Sequence, residues 1–420
     1  MRGQLHYQDP HFVTYDRSNT MIAIFWYYAY MRYAQIMLFV AGLLFIAKTS
    51  SHAQVVTLIR GRAFSEPVAA EKLAKLGESY NNQREWQARA EMLRAGIRKG
   101  LQLEKLPPTC ELKPICHSKR EMDGYTVENV AFESLPGFWV TGNLYLPSKI
   151  EGKIPGILNP HGHFKNARLT ESNQTRCAAQ ARMGAAAFAY DMVGYGESTQ
   201  CEHRRFQVQR LQTFNSMRAL DYLLSLGFID EDRLAVTGAS GGGTQSFLLS
   251  AIDDRIDLSM PVVMVSAYFF GGCECESAMP IHKTEEYETN NVEIAALVAP
   301  KPLLLVSDGG DWTANTPSVE YPHIQRIYSF FGAEENVENE HFPDEGHDYG
   351  PSKRAATYPF LAKHFGLNLA AVENSAGEID ESFFQAIPED ELRVFNAEHS
   401  RPDYAHQGCD EVLRLLNKGG

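Results

Sequence analysis

The spacing of apolar residues divides the chain into a helical part, a short alternating part and a long part of buried runs. Between residues 65 and 103 apolar residues recur at helical spacing without strand-like alternation. Residues 125–134 and 138–147 then alternate apolar and polar positions on either side of a proline–glycine turn, which predicts an antiparallel hairpin. The pattern indicates helices that cover a sheet, with the hairpin at the edge of that sheet.

Beyond residue 147 the apolar residues form short continuous runs that are separated by amphipathic helical stretches. Runs that are apolar on both faces and alternate with helices are typical of a parallel sheet buried between helices. The sequence therefore predicts an α/β fold with a mostly parallel sheet. The five runs are residues 155–160, 184–191, 233–238, 258–266 and 302–307.

The beginning of the chain has the pattern of a secretory signal peptide. Met31 precedes an apolar run over residues 36–47, and small residues at positions 51 and 53 suit cleavage after residue 53. The run is shorter than the ~20 apolar residues that a spanning helix needs, so no stable membrane span is expected after cleavage. We predict export to the periplasm or the medium, with translation starting at Met31 or, alternatively, at Met21.

Changes in composition predict four parts of the chain. Residues 1–53 are the upstream segment and signal peptide, and residues 54–118 are the helical extension, which ends in a proline-rich connector. Residues 119–367 are the α/β domain. Residues 368–420 form an acidic tail that either packs on this domain or makes a small appendage.

Composition and charge narrow the classes of function. The 420 residues are 44% hydrophobic and 22% charged, which is typical of a globular protein and not of a disordered one. The formal net charge is -13, so the chain lacks the basic surface that nucleic acid attracts. We expect no nucleic-acid partner, and nothing in the composition predicts an oligomeric state.

Seven cysteines in an exported chain allow disulfides and leave at least one thiol without an intrachain partner. Cys110 and Cys116 could close a short loop. Cys273 and Cys275 are too close for an easy mutual bridge, so each is expected to pair elsewhere or to be buried free. A zinc site of these two residues and His282 would lack the second pair of ligands that makes a zinc motif, so we expect no metal and no cofactor.

The stretch RLAVTGASGGGTQS carries the strongest chemical signal. Residues 238–242 form a G-x-S-x-G pattern between a predicted strand and a predicted helix. This context places Ser240 on a strained turn with its hydroxyl exposed, and it directs the N–H of Gly241, at the positive end of the helix, toward an incoming carbonyl oxygen. A phosphate-binding loop would require a lysine, which this stretch lacks. We interpret Ser240 as a nucleophile.

A serine nucleophile needs a histidine base and an acid that orients it. In this type of fold both follow the serine along the chain, and the acid comes before the histidine. His347 is the predicted base, because it lies in a glycine-containing loop between a strand-like stretch and the last amphipathic helix. His341, His364 and His399 are more readily explained as structural or solvated histidines.

The acid should follow the apolar run 302–307. Asp311 is the first choice, since the two glycines before it can turn it toward the imidazole, and Asp308 is the second. Glu274 or Glu276, which follow the preceding run, are further alternatives. All four acids could instead be turn or cap residues.

The developing oxyanion requires a second donor besides Gly241. The stretch NPHGHF, residues 159–164, follows a predicted strand, and a backbone N–H of His163 or Phe164 can turn toward the charge. We therefore expect His161 and His163 to shape this loop and not to bind a metal.

Taken together, these stretches resemble the α/β-hydrolase superfamily, specifically its acetyl xylan esterase-like and glucuronoyl esterase-like carbohydrate esterases. The resemblance covers about residues 125–366 and implies Ser240 as nucleophile, His347 as base and Asp311 as acid, with His163 and Gly241 lining the oxyanion hole. The stretches are VENVAFESLPGFWVTGNLYLP, PGILNPHGHF, GAAAFAYDMVGYGES, RLAVTGASGGG, EIAALVAPKPLLLVS and EGHDYG.

We predict an exported serine esterase that acts on acyl esters, first of all acetyl esters, of a small molecule or polysaccharide. Glucuronoyl esterases have an arginine after the nucleophile where this chain has Gly241, and related peptidases carry a propeller for which the extension is too short. Both stay alternatives, as does a non-catalytic carbohydrate-binding protein. The polar loop 271–291, with His282 and Tyr287, is a candidate for sugar contacts or a structural loop.

Overall fold

The computed structural model describes residues 64–418, and within them nine strands form one open sheet with the order β1-β2-β3-β5-β4-β6-β7-β8-β9. The predicted signal peptide, its cleavage site and the start at Met31 lie outside these residues. The strands are β1 Ile115–Glu121, β2 Tyr125–Leu135, β3 Phe138–Pro147, β4 Ile154–Pro160, β5 Ala186–Tyr190, β6 Ile229–Ala239, β7 Leu258–Val262, β8 Leu303–Asp308 and β9 Val337–Phe342.

The hairpin and the parallel part of the sheet are both confirmed. Strands β2 and β3 pair antiparallel on either side of a turn where Gly137 has φ 74°, a conformation that glycine adopts without strain. Strand β3 pairs antiparallel with β5, and every other pair from β5 to β9 is parallel. The carboxyl ends of β4 to β9 therefore lie along one edge of the sheet.

Strand β1 has no counterpart in the hydrophobic pattern. Its sequence ICHSKRE is largely polar, and most of its side chains are exposed or half-buried. It forms by pairing its backbone with β2 at the edge of the sheet, where charged side chains also discourage pairing with another chain.

Helices cover both faces of the sheet. Neighbouring strand residues point to opposite faces, so Ile157 packs with α3 and α9 while Leu158 packs with α4 and α5. None of the helices within the described residues combines the length and the hydropathy needed to cross a bilayer. The helices are α1 Glu66–Gly77, α2 Gln83–Gly100, α3 Glu171–Arg182, α4 Val208–Ser225, α5 Gly241–Ile252, α6 Glu274–Ser277, α7 Asn291–Ala296, α8 Glu320–Ser329, α9 Pro351–Phe365 and α10 Cys409–Leu416.

The N-terminal helices pack closely on the sheet domain. Gly96 of α2 lies so near the loop after α6 that a Cβ atom there would be 2.0 Å from the ring of Tyr287. Arg89 forms an ion pair of 2.6 Å with the fully buried carboxylate of Glu293. Helices α1 and α2 thus share one apolar core with α5, α7 and α8.

The residues after α9 also pack on the domain. Leu392 and Val394 are fully buried, and the buried Asn143 donates a hydrogen bond of 3.0 Å to the carbonyl oxygen of Leu392. A disulfide between Cys201 and Cys409 attaches α10. The chain therefore closes this segment against the sheet by both backbone contacts and a covalent bond.

Cys110 and Cys116 do not form the short-loop bridge that the sequence would have allowed. Both thiols are free: Cys110 faces the backbone oxygens of residues 133 and 134, and Cys116, on β1, faces the hydroxyl of Tyr222. Cys177, Cys273 and Cys275 are free and buried. The expectation that the last two do not bridge each other is met.

Candidate active site

Ser240 occupies a sharp turn between β6 and α5. Its φ of 57° and ψ of -123° lie in a region that side chains other than glycine rarely adopt, so the backbone is strained at this residue. The turn is held by hydrogen bonds from the N–H of Ser240 to the carbonyl oxygen of Val262 and from the N–H of Thr244 to that of Ser240, each 3.0 Å. The surrounding structure therefore imposes this conformation.

The glycines beside Ser240 allow the turn to approach the end of β4. A Cβ atom at Gly238 or Gly242 would lie 2.3 Å or 2.5 Å from the carbonyl oxygen of Pro160. A Cβ at Gly162, in the loop after β4, would lie 3.0 Å from the Cβ of Ser240. Glycine at these positions is what brings the loop after β4 against the serine.

The hydroxyl of Ser240 is available for chemistry. The residue is 9% exposed, and its hydroxyl has no hydrogen-bond partner among the described residues. The N–H of Gly241 lies in the first turn of α5, where backbone N–H groups have no acceptor within the helix. A candidate nucleophile and a candidate donor for negative charge are therefore adjacent in the chain.

His347 and Asp311 form a hydrogen-bonded pair at the same edge of the sheet. His347 Nδ1 lies 2.6 Å from Asp311 Oδ2, and the carboxylate is almost fully buried. The other oxygen, Oδ1, accepts hydrogen bonds of 2.6 Å from the N–H and the hydroxyl of Thr313. The carboxylate is thus oriented before it orients the imidazole, whose Nε2 faces away from it.

Two of the alternative acids are occupied elsewhere. Asp308 Oδ2 lies 3.3 Å from the buried ammonium of Lys353, and burial followed by the neighbouring Asp311 raises the pKa of Asp308. Glu276 accepts hydrogen bonds from the N–H groups of Gly272 and Cys273 at the start of α6. Of these three acids, Asp311 is the one that the structure brings to His347.

His161 stabilises the loop after β4. Its Nε2 accepts a hydrogen bond of 2.9 Å from the N–H of Met192, so Nδ1 carries the proton and donates to the carbonyl oxygen of Gly162 at 2.7 Å. Burial lowers the pKa of His161 to about 4, which keeps the ring neutral. His161 therefore shapes the loop, in the way that the sequence predicts.

The second predicted oxyanion donor can be narrowed to one residue. The N–H of Phe164 is taken by the carbonyl oxygen of Gly162 at 2.9 Å, whereas the N–H of His163 has no acceptor among the described residues. The ring of His163 lies against the serine turn, since a Cβ at Gly241 would be 2.7 Å from its Cε1. His163 is thus the better candidate for a backbone donor beside Gly241.

The side chain of His163 belongs to a group that sequence reasoning missed. Ligand atoms of His163, His203, Cys273 and Cys275 lie within 4.8 Å of one another. The Cys-x-Cys spacing was the available signal, but the two histidines precede it by 70 residues or more along the chain and only the fold brings them together. His282, which the sequence suggested as a third ligand, is not in this group.

His282 is a core residue, and its burial predicts a pH dependence of stability. Its ring lies 2.7 Å from Asn291 Oδ1 and stacks on Phe270, and burial lowers its pKa from 6.5 to about 4. Because the folded pKa lies below the unfolded one, the unfolded chain binds the proton first. The contribution of His282 to stability is complete above pH 6.5 and is lost as the pH falls toward 4.

We expect this loss to reach about 3 kcal/mol in the free energy of unfolding, measured by urea denaturation at several pH values. In His282→Gln the amide can still donate to Asn291, but no proton is taken up at this position, so its stability should depend less on pH in this window. Equal dependence in both proteins would contradict this interpretation.

In the loop 271–291, a candidate for sugar contacts, the rings of Tyr287 and His282 both point inward. Tyr287 is 6% exposed and donates a hydrogen bond of 2.9 Å to the carbonyl oxygen of Ile281, and His282 is 1% exposed. These two side chains therefore stabilise the loop and are not placed to contact a ligand on the surface.

A pocket of about 280 Å³ opens between the loop after β4 and the start of α9. Its wall includes Ala239, next to the serine, and Asp348, next to His347. It also includes Arg176 and Arg354. The lining residues are His161, Gly162, Phe164, Thr170, Ser172, Asn173, Arg176, Ala239, Asp348, Tyr349, Gly350, Pro351 and Arg354.

The two arginines of this pocket differ in how their charge is balanced. Arg354 pairs with Glu381, while Arg176 has no carboxylate within 4 Å among the described residues. Arg176 is 1% exposed, donates to Asn159 and Asn173 and lies 4.2 Å from the ring centre of Tyr349. A buried cation without an anionic partner is costly, so this pocket suits a negatively charged ligand.

The chain is similar to known esterases. A family model described as acetyl xylan esterase (AXE1) matches residues 99–287. Among solved structures, methylesterase BT1017 is 39% identical with a TM-score of 0.79, over 85% of this chain and 79% of that one. BF1801 of Bacteroides fragilis NCTC 9343, assigned as an acetyl xylan esterase, is 18% identical with a TM-score of 0.50, over 76% and 92% of the two chains, which shows a similar fold.

A curated relative is matched over a shorter stretch. YtaP of Bacillus subtilis (strain 168), which is named as a hydrolase, is 27% identical over 143 residues. These residues are 30% of this chain and 46% of YtaP, so the match spans less than half of that protein.

Proposed function

The chain belongs to the α/β-hydrolase esterases, and we propose that it hydrolyses carboxylic esters of carbohydrates through an acyl-enzyme formed on Ser240. The observation that carries this proposal is the hydrogen bond of 2.6 Å between His347 and Asp311, at the edge of the sheet that also holds the strained turn of Ser240. A serine, a histidine and an oriented carboxylate are the parts that acyl transfer requires.

In the proposed mechanism the hydroxyl oxygen of Ser240 attacks the ester carbonyl carbon, and His347 Nε2 takes the hydroxyl proton. Asp311 holds the proton on Nδ1 and stabilises the imidazolium that forms. His347 then gives its proton to the departing alkoxide, which leaves as an alcohol. A water molecule attacks the acyl-enzyme by the same route in reverse and releases the carboxylic acid and free Ser240.

Negative charge develops on the carbonyl oxygen in both steps. The N–H groups of Gly241 and His163 are the proposed donors, because each lies beside Ser240 without an acceptor of its own. Losing one such donor typically costs about 3 kcal/mol of transition-state stabilisation. His161 supports the second donor indirectly, by holding the loop after β4 to the end of β5.

The first candidate substrate is the methyl ester of a sugar carboxylate. The relative that matches 85% of this chain is named a methylesterase. In such an ester the sugar is the acyl part and methanol leaves, so the pocket beside Ser240 must accept a sugar acid. The unpaired Arg176 supports this choice, since a neighbouring free carboxylate of an acidic polysaccharide would supply its missing anion.

Acetyl esters of a polysaccharide are the second candidate. The matching family model is described as acetyl xylan esterase, and here the sugar would be the leaving alcohol. The signal-peptide pattern supports a location outside the cytoplasm, where either polysaccharide would be met.

A direct test measures methanol released from a partly methyl-esterified polyuronate and acetate released from acetylated xylan. We expect methanol release to be the faster reaction. Arg176→Gln should lower kcat/KM on the charged polyuronate about 10- to 100-fold through loss of a charge-assisted hydrogen bond. Its activity on a small neutral aryl acetate should be nearly unchanged, which also reports that the variant is folded.

Arg182→Gln is the matched control, because Arg182 lies on the same helix but is partly exposed and paired with Asp123. Faster acetate release by the wild type, together with no effect of Arg176→Gln, would favour the acetyl esterase instead. Absence of hydrolysis of all three substrates would contradict the proposed function.

A further inference from the structure

Four side chains that take no part in the proposed ester chemistry meet beside the serine turn. They are His163, His203, Cys273 and Cys275, whose ligand atoms all lie within 4.8 Å of one another. We propose that they bind one divalent metal ion, and that this ion is zinc, which two thiolates and two imidazoles favour. The proposal goes beyond ester hydrolysis, since it adds a metal site to the protein.

The distances suit a tetrahedral coordination shell. With zinc–nitrogen bonds near 2.0 Å and zinc–sulfur bonds near 2.3 Å, neighbouring ligand atoms in such a shell are about 3.3 to 3.8 Å apart. His163 Nε2 lies 3.1 Å from His203 Nε2 and 3.2 Å from Cys275 Sγ. Small adjustments of these side chains would produce the ideal separations.

The ring of His203 is already oriented as a ligand. Its Nδ1 lies 2.6 Å from the carbonyl oxygen of Val193, which can only accept a hydrogen bond. The proton is therefore on Nδ1, and Nε2 directs its lone pair toward His163 and the thiols. A backbone carbonyl that fixes the far nitrogen in this way is the usual support of a metal-binding histidine.

The two thiols are buried and their loop is held in place. Glu276 Oε2 accepts hydrogen bonds of 2.8 Å and 3.1 Å from the N–H groups of Gly272 and Cys273. Cys273 and Cys275 are free, although the same chain forms a disulfide between Cys201 and Cys409. Without a metal, these nitrogen and sulfur atoms share protons in hydrogen bonds of 3.1 Å and 3.2 Å, and a bound cation would take the place of those protons.

The ligands come from three loops at the carboxyl edge of the sheet. His163 follows β4, His203 follows β5, and both cysteines follow β7. Because all four positions around the ion would be protein ligands, the site is closed and of the structural type. The ion would hold His163 beside Gly241, and with it the backbone N–H that we propose as an oxyanion donor. This positioning role rests on the proposed function, whereas the metal site does not.

The test measures zinc in the full chain, purified from Zn²⁺-containing medium, by mass spectrometry of the elements. We expect about one zinc per chain, and less than about a tenth of this in the double variant Cys273→Ser, Cys275→Ser. Cys177→Ser, which removes a buried free thiol elsewhere, should keep its zinc, and so should Ser240→Ala. Zinc retained in Ser240→Ala would show that metal binding does not depend on ester hydrolysis.

Two further measurements test the metal site even if the double variant does not fold. Wild-type chain stripped by a chelator should keep its far-ultraviolet circular dichroism, and Co²⁺ added to it should give the visible absorption of a tetrahedral thiolate site. Zinc content that is unchanged in the double variant would identify an adventitious ion and overturn the proposal. A Cys273–Cys275 disulfide in unreduced peptides without zinc would also overturn it.

The positioning role has its own readout. Zinc removal should lower kcat for ester hydrolysis about 10- to 100-fold with little change in KM, and Zn²⁺ should restore it. An unchanged kcat in folded, zinc-free chain would overturn this role.

Discussion

Replacing Ser240 with alanine should lower kcat for ester hydrolysis by about five to six orders of magnitude. Alanine has no oxygen to form the acyl-enzyme, so the covalent route is lost, while the donors at Gly241 and His163 remain and leave a small residual rate. The effect is measured as initial rates of methanol or acetate release at saturating substrate. Because the backbone at residue 240 has φ 57°, alanine and serine are equally strained there and the fold should persist.

Ser246→Ala is the matched control for this variant. Ser246 lies on α5, the helix that follows Ser240, is fully buried and donates a hydrogen bond of 2.7 Å to the carbonyl oxygen of Gly242. Its removal should affect stability slightly and leave kcat near that of the wild type. Substantial activity in Ser240→Ala would exclude the serine mechanism, and inactivity of the wild type on every ester would favour the non-catalytic carbohydrate-binding alternative.

Asp311→Asn should lower kcat by about four orders of magnitude while KM changes little. An asparagine amide would face His347 Nδ1 with its N–H, which favours the tautomer with the proton on Nε2. That tautomer cannot accept the proton of Ser240. The variant should recover part of its activity at high pH, where Ser240 depends less on a base, so a full pH–rate profile is the appropriate measurement.

Asp344→Asn is the control that removes one negative charge from the loop of His347, and it should keep nearly full activity. Asp344 is exposed, whereas Asp311 is buried. If Asp311→Asn were active and Glu276→Gln inactive, the acid would instead come from the loop after β7, which was an alternative from the sequence.

The parallel sheet was predictable because buried strands require apolar residues, which appear as apolar runs in the sequence. Strands covered on both faces, such as β4 and β8, are mostly apolar. Glycine is required at 238 and 242 beside Ser240, because a Cβ atom there would lie 2.3 Å or 2.5 Å from the carbonyl oxygen of Pro160. The edge strand β1 has no such apolar run, because backbone pairing with β2 forms it and its side chains stay mostly in solvent.

Local pattern also selected Ser240, His347 and four candidate acids, since nucleophile and base must follow strands at one edge of the sheet. It ranked Asp311 first but could not choose firmly among the acids. Asp308 and Asp311 are three residues apart, and the choice depends on whether Lys353 or His347 is nearer, which is a matter of packing.

The chain's own pattern was thus sufficient to predict the fold class, the turn of Ser240 and His347 as the candidate base, because periodicity and glycine spacing are local consequences of burial. Only the tertiary structure showed the hydrogen bond of Asp311 with His347, the acceptor of the Phe164 N–H, the unpaired charge of Arg176 and the meeting of His163 with His203, Cys273 and Cys275. Apart from the local turn at Phe164, each of these depends on distances between residues far apart in the chain, and those distances exist only after the strands have taken their places in the sheet.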